Sequence, residues 1–274
     1  MPKTLIWLAS YPKSGNTWLR AFLANYFMQS DGPIPLDKIR HVSFGDSAAE
    51  PHLRGTPFNQ YNLPSGQLLQ LRNRWLLEIS HRGAFNFVKT HNAHARLAQG
   101  WWIPAALTQT AIHIVRDPRD VLLSYADHWG IGLQDAASQM ANPENKIPPN
   151  PKSVMQFLSS WSKHTESWMK TRDFRVLTVK YEDMLAEPEA TFSKILEHIG
   201  APLDQTVLRQ AIDRASFRQL AADEAANGFS ESGTKQKKFF RQGKAGCWHQ
   251  SLPPDLADRI AANHRRVMKQ LGYD

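Results

Sequence analysis

The segment LIWLASYPKSGNTW, residues 5–18, joins an apolar run, a tight turn and the start of a helix. Its apolar beginning, residues 5–9, has strand length and no polar interruption, which is typical of a strand buried on both faces of a sheet. Pro12 and Gly15 favour a tight turn. Apolar residues then recur at helical spacing, at Trp18, Leu19, Phe22, Leu23 and Tyr26. The segment therefore predicts a strand, a turn and a helix in direct succession.

The turn has the features of an anion-binding loop. The N–H groups of residues 14–17 lie at the predicted helix start, where unpaired donors and the positive end of the helix dipole favour a bound phosphate. Lys13 adds a positive charge, and Ser14 and Thr17 add hydroxyl donors. In a Walker A loop the lysine follows a glycine, whereas Lys13 precedes Gly15. A turn that only caps the helix is the alternative interpretation.

Four short segments are rich in apolar and β-branched residues, namely 4–9, 87–89, 111–115 and 175–179. Between them, apolar residues follow helical spacing, for example at Leu68, Leu71, Trp75, Leu76 and Ile79, and at Phe192, Ile195, Leu196 and Ile199. Alternating strands and helices predict an α/β protein with a central parallel sheet flanked by helices, in a single domain spanning residues 1–274. Ligands of such sheets bind beyond the carboxyl ends of the strands.

Two long connections are predicted to shape the substrate site. Residues 41–66 and 130–151 are polar and contain proline and glycine, and long loops in compact domains commonly form lids or binding segments. Trp101, Trp102 and Trp129 lie beside them, where aromatic walls could receive an apolar or aromatic substrate. Core packing is the alternative role for these tryptophans.

The composition narrows the class of protein. The chain has 274 residues, of which 42% are hydrophobic and 21% charged, as in ordinary globular proteins. Its net charge of +8 favours an anionic ligand, but the basic residues are spread along the chain without a long basic tail, so we expect no nucleic-acid partner.

The cysteine content and the apolar stretches of the sequence indicate the cellular compartment of the protein. The single cysteine, Cys247, excludes an intramolecular disulfide and fits a reducing compartment. The beginning of the sequence lacks the pattern of a signal peptide, and no apolar stretch approaches the ~20 residues of a membrane span. We therefore expect a cytoplasmic protein without stable membrane insertion.

Two separated motifs resemble those of one enzyme family. The segment YPKSGNTW, residues 11–18, resembles the 5′-phosphosulfate loop of cytosolic-type sulfotransferases, which usually reads Tyr-Pro-Lys-Ser-Gly-Thr-Thr-Trp. The segment HIVRDPRDVLLSY, residues 113–125, resembles the motif with which that family holds the donor's 3′-phosphate. The resemblance implies a P-loop-NTPase-like phosphate loop and donor contacts from Lys13, Ser14, Gly15, Asn16, Thr17, Trp18, Arg116 and Ser124.

What the resemblance implies for function is transfer of a sulfuryl group from 3′-phosphoadenosine 5′-phosphosulfate (PAPS) to a hydroxyl of a small-molecule acceptor. Further along the chain, Tyr181 in VKYEDML resembles the family's adenine-contacting tyrosine, and Phe217 in ASFRQL the aromatic residue that stacks on the base. The segment FRQGKAGCW, residues 240–248, is similar to the family's RKGxxGDW, which adds Arg241, Gln242 and Gly243 to the expected donor contacts.

Three residues depart from the family's pattern. Asn16 replaces the usual threonine of the phosphate loop but keeps a polar side chain. Gln242 stands where the family normally has lysine, which removes a positive charge from the expected 3′-phosphate pocket. Cys247 replaces the usual aspartate.

A candidate base follows the second predicted strand. His91, in the run Val-Lys-Thr-His, lies at the carboxyl end of that strand, on the same edge as the phosphate loop. An unperturbed histidine pKa of about 6.5 leaves the ring largely neutral at physiological pH and able to take a proton. The resemblance assigns the base to the histidine of a similar Lys-[Ser/Thr]-His run. His94 is the local rival, and His113 is predicted to be a satisfied core residue.

Two lysines are predicted to stabilise the developing charge. Lys13 and Lys89 would neutralise the bridging and leaving oxygens during transfer, an electrostatic role that needs no covalent enzyme intermediate. No metal is expected, because the sequence has one cysteine and no His-Glu-x-x-His run. Asp117 and Asp120 alternate with arginines, which favours ion pairing or helix capping.

Two other classes of function share part of the pattern. A nucleotide-dependent phosphotransferase would have a similar sheet and phosphate loop but would need a carboxylate that binds a metal ion. A basic module that binds nucleic acid or a membrane surface would fit the net charge, although the sequence carries no dedicated motif for it.

Overall fold

Five parallel strands form the central sheet. The computed structural model describes residues 3–97, 100–232 and 238–273. In spatial order the strands are β2 (Ser43–Gly45), β3 (Asn86–Thr90), β1 (Leu5–Ser10), β6 (Thr108–Val115) and β9 (Arg175–Lys180). The register pairs Leu8 of β1 with Lys89 on one side and with Ile112 on the other. The predicted parallel sheet is thus confirmed, with β1 at its centre.

Two short antiparallel pairs and thirteen helical segments among the described residues complete the fold. The strand pairs are β4 (Arg96–Leu97) with β5 (Gly100–Trp101), and β7 (Lys146–Ile147) with β8 (Gln156–Phe157). The helices are α1 (Asn16–Met28), a 3₁₀ helix (Leu36–His41), α2 (Ala49–Leu53), α3 (Ser65–Ser80), α4 (Pro118–Trp129), α5 (Leu133–Ala141), α6 (Trp161–Met169), α7 (Tyr181–Ala186), α8 (Pro188–Ile199), α9 (Gln205–Arg214), α10 (Phe217–Asn227), α11 (Trp248–Ser251) and α12 (Pro254–Leu271).

Successive side chains of β1 point to opposite faces of the sheet, and both faces are buried. Ile6 and Leu8 pack into a core with residues of α1, α8 and α9, including Phe22 and Phe192. On the other face, Trp7 and its neighbours pack with α3, Trp102 and Trp168. A third cluster joins α4, α5 and α12. The chain is therefore a single α/β domain with helices on both sides of the sheet.

The two long connections are more regular than the sequence predicts. Residues 41–66 contain β2 and α2, and residues 130–151 contain α5 and β7. Helix α5 forms because Ala136, Ala137 and Met140 bury one face in the third cluster, whereas β2 has only three residues and depends on pairing with β3.

The longest helix of the described residues, α12, is polar on one face. Within the described ranges, no helix combines the length and apolar character needed to cross a bilayer.

Candidate active site

The carboxyl ends of four parallel strands meet at one edge of the sheet. The loop after β1 leads into α1, while His91, Arg116 and Tyr181 directly follow β3, β6 and β9. A cavity of about 450 Å³ opens at this edge. Four segments that are distant in sequence thus contribute to one site because of the sheet topology.

Almost all of the residues that the sequence singles out line this cavity. They are Lys13, Gly15, Asn16, Thr17, Trp18, Lys89, His91, Arg116, Ser124, Tyr181, Phe217, Arg241, Gln242 and Gly243. Of the predicted donor contacts and catalytic residues, Ser14 alone does not line the cavity, since its side chain is fully buried. Its Oγ has no hydrogen-bond partner within the described part of the chain.

The phosphate loop requires glycine at residue 15. Gly15 has a φ of 104°, a backbone conformation that other residues rarely adopt. A Cβ atom added there would lie 2.7 Å from Cδ2 of Tyr181. The carbonyl oxygen of Gly15 accepts from the N–H groups of Trp18 and Leu19 and so begins α1. The predicted strand, turn and helix are confirmed, and Tyr181 packs directly on the turn.

Asn16 lines the cavity and also binds the end of β1 through its side chain. Its Nδ2 donates to the carbonyl oxygen of Leu8 at 2.9 Å and to Oγ of Ser10 at 3.2 Å. The amide nitrogen thus points back to the end of β1, and Asn16 is only 5% exposed. This side chain fastens the loop to the strand, while the backbone N–H of the helix start is left for a ligand.

Lys13 extends over the cavity with an unusual backbone conformation, φ 71°. Its Nζ lies 3.7 Å from the centroid of the Phe239 ring. Burial lowers the pKa of Lys13 to about 8, although Asp127 partly opposes this shift. The ammonium group has no hydrogen-bond partner among residues 3–97, 100–232 and 238–273.

Arg116 lies where the phosphate loop, α7 and the segment after α10 approach one another. Its Nη1 donates to the carbonyl oxygen of Lys13 at 3.4 Å, and its Nη2 donates to that of Lys244 at 3.0 Å. The guanidinium carbon lies 4.4 Å from the ring centroid of Tyr181. Its Nε is buried without a partner in the described chain. Arg116 therefore has a donor to spare inside the cavity.

His91 is held in one tautomer by the end of β1. Its Nδ1 lies 2.9 Å from the carbonyl oxygen of Ser10. A carbonyl oxygen only accepts hydrogen bonds, so we assign the proton of the neutral ring to Nδ1, which leaves the lone pair on Nε2. Burial and the nearby Lys89 lower the pKa of His91 well below its usual value. The ring is therefore neutral at physiological pH, as the base role requires.

The other candidate histidines lie elsewhere. His94 is buried against Trp101 and pairs with Asp173 at 3.2 Å, outside the cavity lining. His113 is fully buried in β6, as predicted. However, neither ring nitrogen of His113 has a partner in the described structure, so the expectation of a satisfied core residue is wrong.

Glu231 is a cavity residue that the sequence reasoning missed. It forms an ion pair with Arg20, with 2.7 Å between Oε1 and Nη1. Burial alone would raise the pKa of Glu231, but the charges of Arg20, Lys89 and Lys13 outweigh it and bring the pKa to about 2. A signal existed in α1, because Arg20 interrupts its apolar face and a buried cation needs an anionic partner.

The aspartates after β6 have structural partners. Asp117 caps α4 by accepting from the N–H of Arg119 at 2.9 Å, and the two side chains form an ion pair of 2.7 Å. Asp120 accepts from the N–H groups of Gly246 and Trp248, at 2.7 and 3.0 Å. The prediction of capping and ion pairing is confirmed for these carboxylates. In the described ranges, no cluster of three or more His, Cys, Asp or Glu side chains could hold a metal ion.

The three tryptophans that were predicted to form aromatic walls lie in different parts of the structure. Trp129 lines the cavity, together with Ile147 and Gln156 of the β7–β8 pair. Trp102 is buried in the core, and Trp101 is 43% exposed beside His94. Of these tryptophans, Trp129 is therefore the one placed to contact a substrate.

Known proteins resemble this chain over nearly its whole length. It is 27% identical over 265 residues to cytosolic sulfotransferase 5 of Arabidopsis thaliana, covering 94% of this chain and 77% of the relative. It is 24% identical to sulfotransferase 1E1 of Rattus norvegicus, covering 96% and 82% of the two chains.

Solved structures share the fold at lower sequence identity. Retinol dehydratase, solved with androsterone and the inactive cofactor PAP, superposes with a TM-score of 0.64 at 17% identity, covering 98% of this chain and 82% of the other. Mouse sulfotransferase SULT7A1, complexed with PAP, gives a TM-score of 0.63 at 18% identity, covering 98% and 86%. The sequence model of the sulfotransferase domain matches residues 3–272. This chain belongs to the sulfotransferase domain family.

Proposed function

We propose that this sulfotransferase, as one domain spanning residues 1–274, takes its sulfuryl group from PAPS and transfers it to a hydroxyl of a small-molecule acceptor, with His91 as the general base. We also propose that it acts in the cytoplasm, because a single cysteine fits a reducing compartment. The proposal for the donor rests above all on unpaired polar atoms at the phosphate loop.

Among the residues that the structure describes, the unpaired buried atoms at the loop include four that can donate, namely Nζ of Lys13, Oγ of Ser14, Nε1 of Trp18 and Nε of Arg116, and one acceptor, Oδ1 of Asn16. Buried polar atoms in proteins nearly always have hydrogen-bond partners, so a cluster of unpaired donors favours an anionic ligand. The helix start adds unpaired N–H groups beside them. A nucleotide with phosphates at both the 5′ and 3′ positions fits this set, and the related structures named above were solved with PAP.

We assign the remaining donor contacts from the resemblance to the family's motifs, and the residues concerned line the cavity. Arg116, Ser124 and Arg241 would bind the 3′-phosphate, with Gln242 and Gly243 beside them. The aromatic rings of Trp18, Tyr181 and Phe217 would hold the adenine. Gly243 approaches the Phe217 ring so closely that a Cβ would lie 2.3 Å from it, which leaves no room for a larger residue.

The charge distribution of the cavity suits sulfuryl transfer. PAPS supplies an activated sulfonate joined to its 5′-phosphate. The acceptor oxygen would attack sulfur in line with the bond between sulfur and the phosphate oxygen; that bond breaks, and PAP leaves. Nε2 of His91 would take the hydroxyl proton, while Lys13 and Lys89 would neutralise the charge that grows on the leaving oxygen.

The acceptor side of the cavity is mixed in character. Trp129 and Ile147 offer apolar surface to the cavity that His91 also lines, and Gln156 offers an amide. Related structures contain androsterone or retinol, both small molecules with a hydroxyl group. We therefore propose a small-molecule alcohol or phenol as the acceptor.

A thermal-shift titration tests the donor. We expect adenosine 3′,5′-bisphosphate (PAP) to raise the melting temperature in the absence of magnesium, because a ligand that binds the folded state stabilises it. Stabilisation by Mg-ATP alone would instead indicate a phosphotransferase. Salt-sensitive binding to polyanions without transfer of label from radioactive PAPS to any acceptor in a phenol and alcohol panel would indicate a binding module.

A further inference from the structure

Two strand ends carry the residues proposed to hold the adenosine part of the donor. Val115 of β6 and Lys180 of β9 are register partners in the sheet. Arg116 and Tyr181 follow them directly, and the guanidinium carbon lies 4.4 Å from the tyrosine ring centroid. The distance between the two strand ends therefore determines the contact between the guanidinium group of Arg116 and the ring of Tyr181.

A carboxylate behind the cavity connects these two strand ends. Glu182, the residue after Tyr181, accepts through Oε1 from the N–H of Asp117, the residue after Arg116, at 3.1 Å. Its Oε2 accepts from the hydroxyl of Tyr273 at 2.8 Å. Each carboxylate oxygen of Glu182 thus accepts a hydrogen bond, one from the segment after β6 and the other from the segment after α12.

Tyr273 is held from both strand ends. Nη2 of Arg119 donates to the carbonyl oxygen of Tyr273 at 2.8 Å, and Arg119 is itself ion-paired with Asp117. Lys180 donates through Nζ to the carbonyl oxygen of Leu271 at 2.8 Å, and the same ammonium lies 4.5 Å from the ring centroid of Tyr273. Tyr273 is only 6% exposed.

We infer that Tyr273 is a positioning residue for the donor site, although it does not line the cavity. Through Glu182 and Arg119 it fixes the distance between the ends of β6 and β9. That distance presents Arg116 and Tyr181 to the 3′-phosphate and the base of the donor. The inference rests on the proposed PAPS-dependent function.

The test compares two tyrosine hydroxyls. Tyr273→Phe removes the bond to Glu182. Tyr26→Phe removes an equally buried hydroxyl that donates to the carbonyl oxygen of Pro202 at 2.6 Å and accepts from the N–H of Asp204 at 3.0 Å. Tyr26 lies outside the cavity lining, so it is the matched control for a purely structural effect.

Isothermal titration with PAP gives the readout, with urea unfolding measured in parallel. We expect both variants to lose similar stability, whereas the Kd for PAP rises about threefold to tenfold in Tyr273→Phe and is unchanged in Tyr26→Phe. An unchanged Kd in Tyr273→Phe, or an equal rise in both variants, would overturn the inference.

If Tyr273→Phe does not fold, Glu182→Gln gives the same decision, because it keeps the side-chain shape and weakens the acceptor. A rise in Kd supports the inference and an unchanged Kd overturns it. Failure of the unaltered protein to bind PAP is a distinct result, since it would overturn the proposed function together with this inference.

Discussion

Burial weakens proton binding by two side chains that face the cavity. It lowers the pKa of Lys13 to about 8 and that of His91 well below its usual value. The lysine is therefore cationic at physiological pH but close to losing its proton, and the imidazole is a neutral base. Both states suit a site that binds an anion and removes a proton from a hydroxyl.

His91→Ala tests the base. We expect the turnover number to fall by roughly 10²- to 10⁴-fold, the usual contribution of general base catalysis, while PAP binds as tightly as before. Steady-state kinetics with radiolabelled PAPS and calorimetry with PAP separate the two effects. His94→Ala, outside the cavity lining, is the control and should retain turnover. Retained turnover in His91→Ala would assign the base to another residue.

The lowered pKa of Lys13 predicts that affinity for the sulfuryl donor falls at alkaline pH. Free Lys13 loses its proton as the pH rises through about 8, so binding of an anion above that pH requires proton uptake. We expect the Kd for PAP to change little near pH 7, where Lys13 is cationic and the phosphates of PAP are largely ionised, and to rise by up to about tenfold per pH unit above 8. Calorimetry in buffers of different ionisation enthalpy measures the proton directly. Lys13→Arg should remove the proton uptake, and an unchanged pH profile in that variant would contradict the prediction.

At the scale of the elements, the contact between the phosphate loop and α7 explains why a turn tolerates only glycine. Gly15 combines a φ of 104° with an approach to Tyr181 that leaves no space for a Cβ. Gly200, at the end of α8, also has a positive φ, of 75°, but no atom lies within 4 Å of the Cβ position there among the described residues. The two glycines therefore separate backbone strain from steric contact.

Replacing each glycine with alanine measures this difference. We expect Gly200→Ala to lose roughly 1 kcal/mol of unfolding free energy through backbone strain, with PAP binding unchanged. Gly15→Ala should lose more stability and weaken PAP binding at least tenfold, because Tyr181 must move. Urea unfolding and PAP titration check both. Equal effects in the two variants would show that the Tyr181 contact is unimportant.

The elements also show what the sequence could and could not predict. Strands β1, β3 and β6 were predictable because their apolar runs are buried on both faces, whereas the edge strand β9 was predictable from its β-branched and apolar residues alone. Parallel strand ends then bring the matching motifs together. The three-residue strand β2 was not, since it exists through pairing with β3. The direction of the Asn16 side chain and the arrival of Glu231 and Phe239 in the cavity depend on packing between segments far apart in the chain.

Across the whole molecule, several histidines lie inside the core. His52, His113 and His164 are fully buried, and His264 is nearly so. Burial lowers the pKa of His52 and of His264 to about 4, that of His164 to about 3, and that of His113 well below its usual value. These rings are neutral in the folded protein at any pH near 7, and protonating them would place charges in the core.

This arrangement predicts that the fold is sensitive to acid. In the unfolded chain a histidine takes up a proton near pH 6.5, whereas the buried rings resist protonation until pH 4 or below. The unfolded state then binds more protons, so stability is complete above pH 6.5 and is lost as the pH falls toward 4. Each ring shifted from 6.5 to about 4 contributes on the order of 3 kcal/mol to that loss.

His113→Leu tests the origin of the acid sensitivity. Leucine fills a similar volume in β6 and removes two ring nitrogens that have no partner within the described residues. We expect the variant to be more stable than the unaltered protein, with the gain in urea midpoint larger at pH 5 than at pH 8, because the unfolded state loses a proton-binding group. His81→Leu, at an exposed position, removes one histidine without changing the core. A gain that is the same at both pH values would assign the acid sensitivity to groups other than His113.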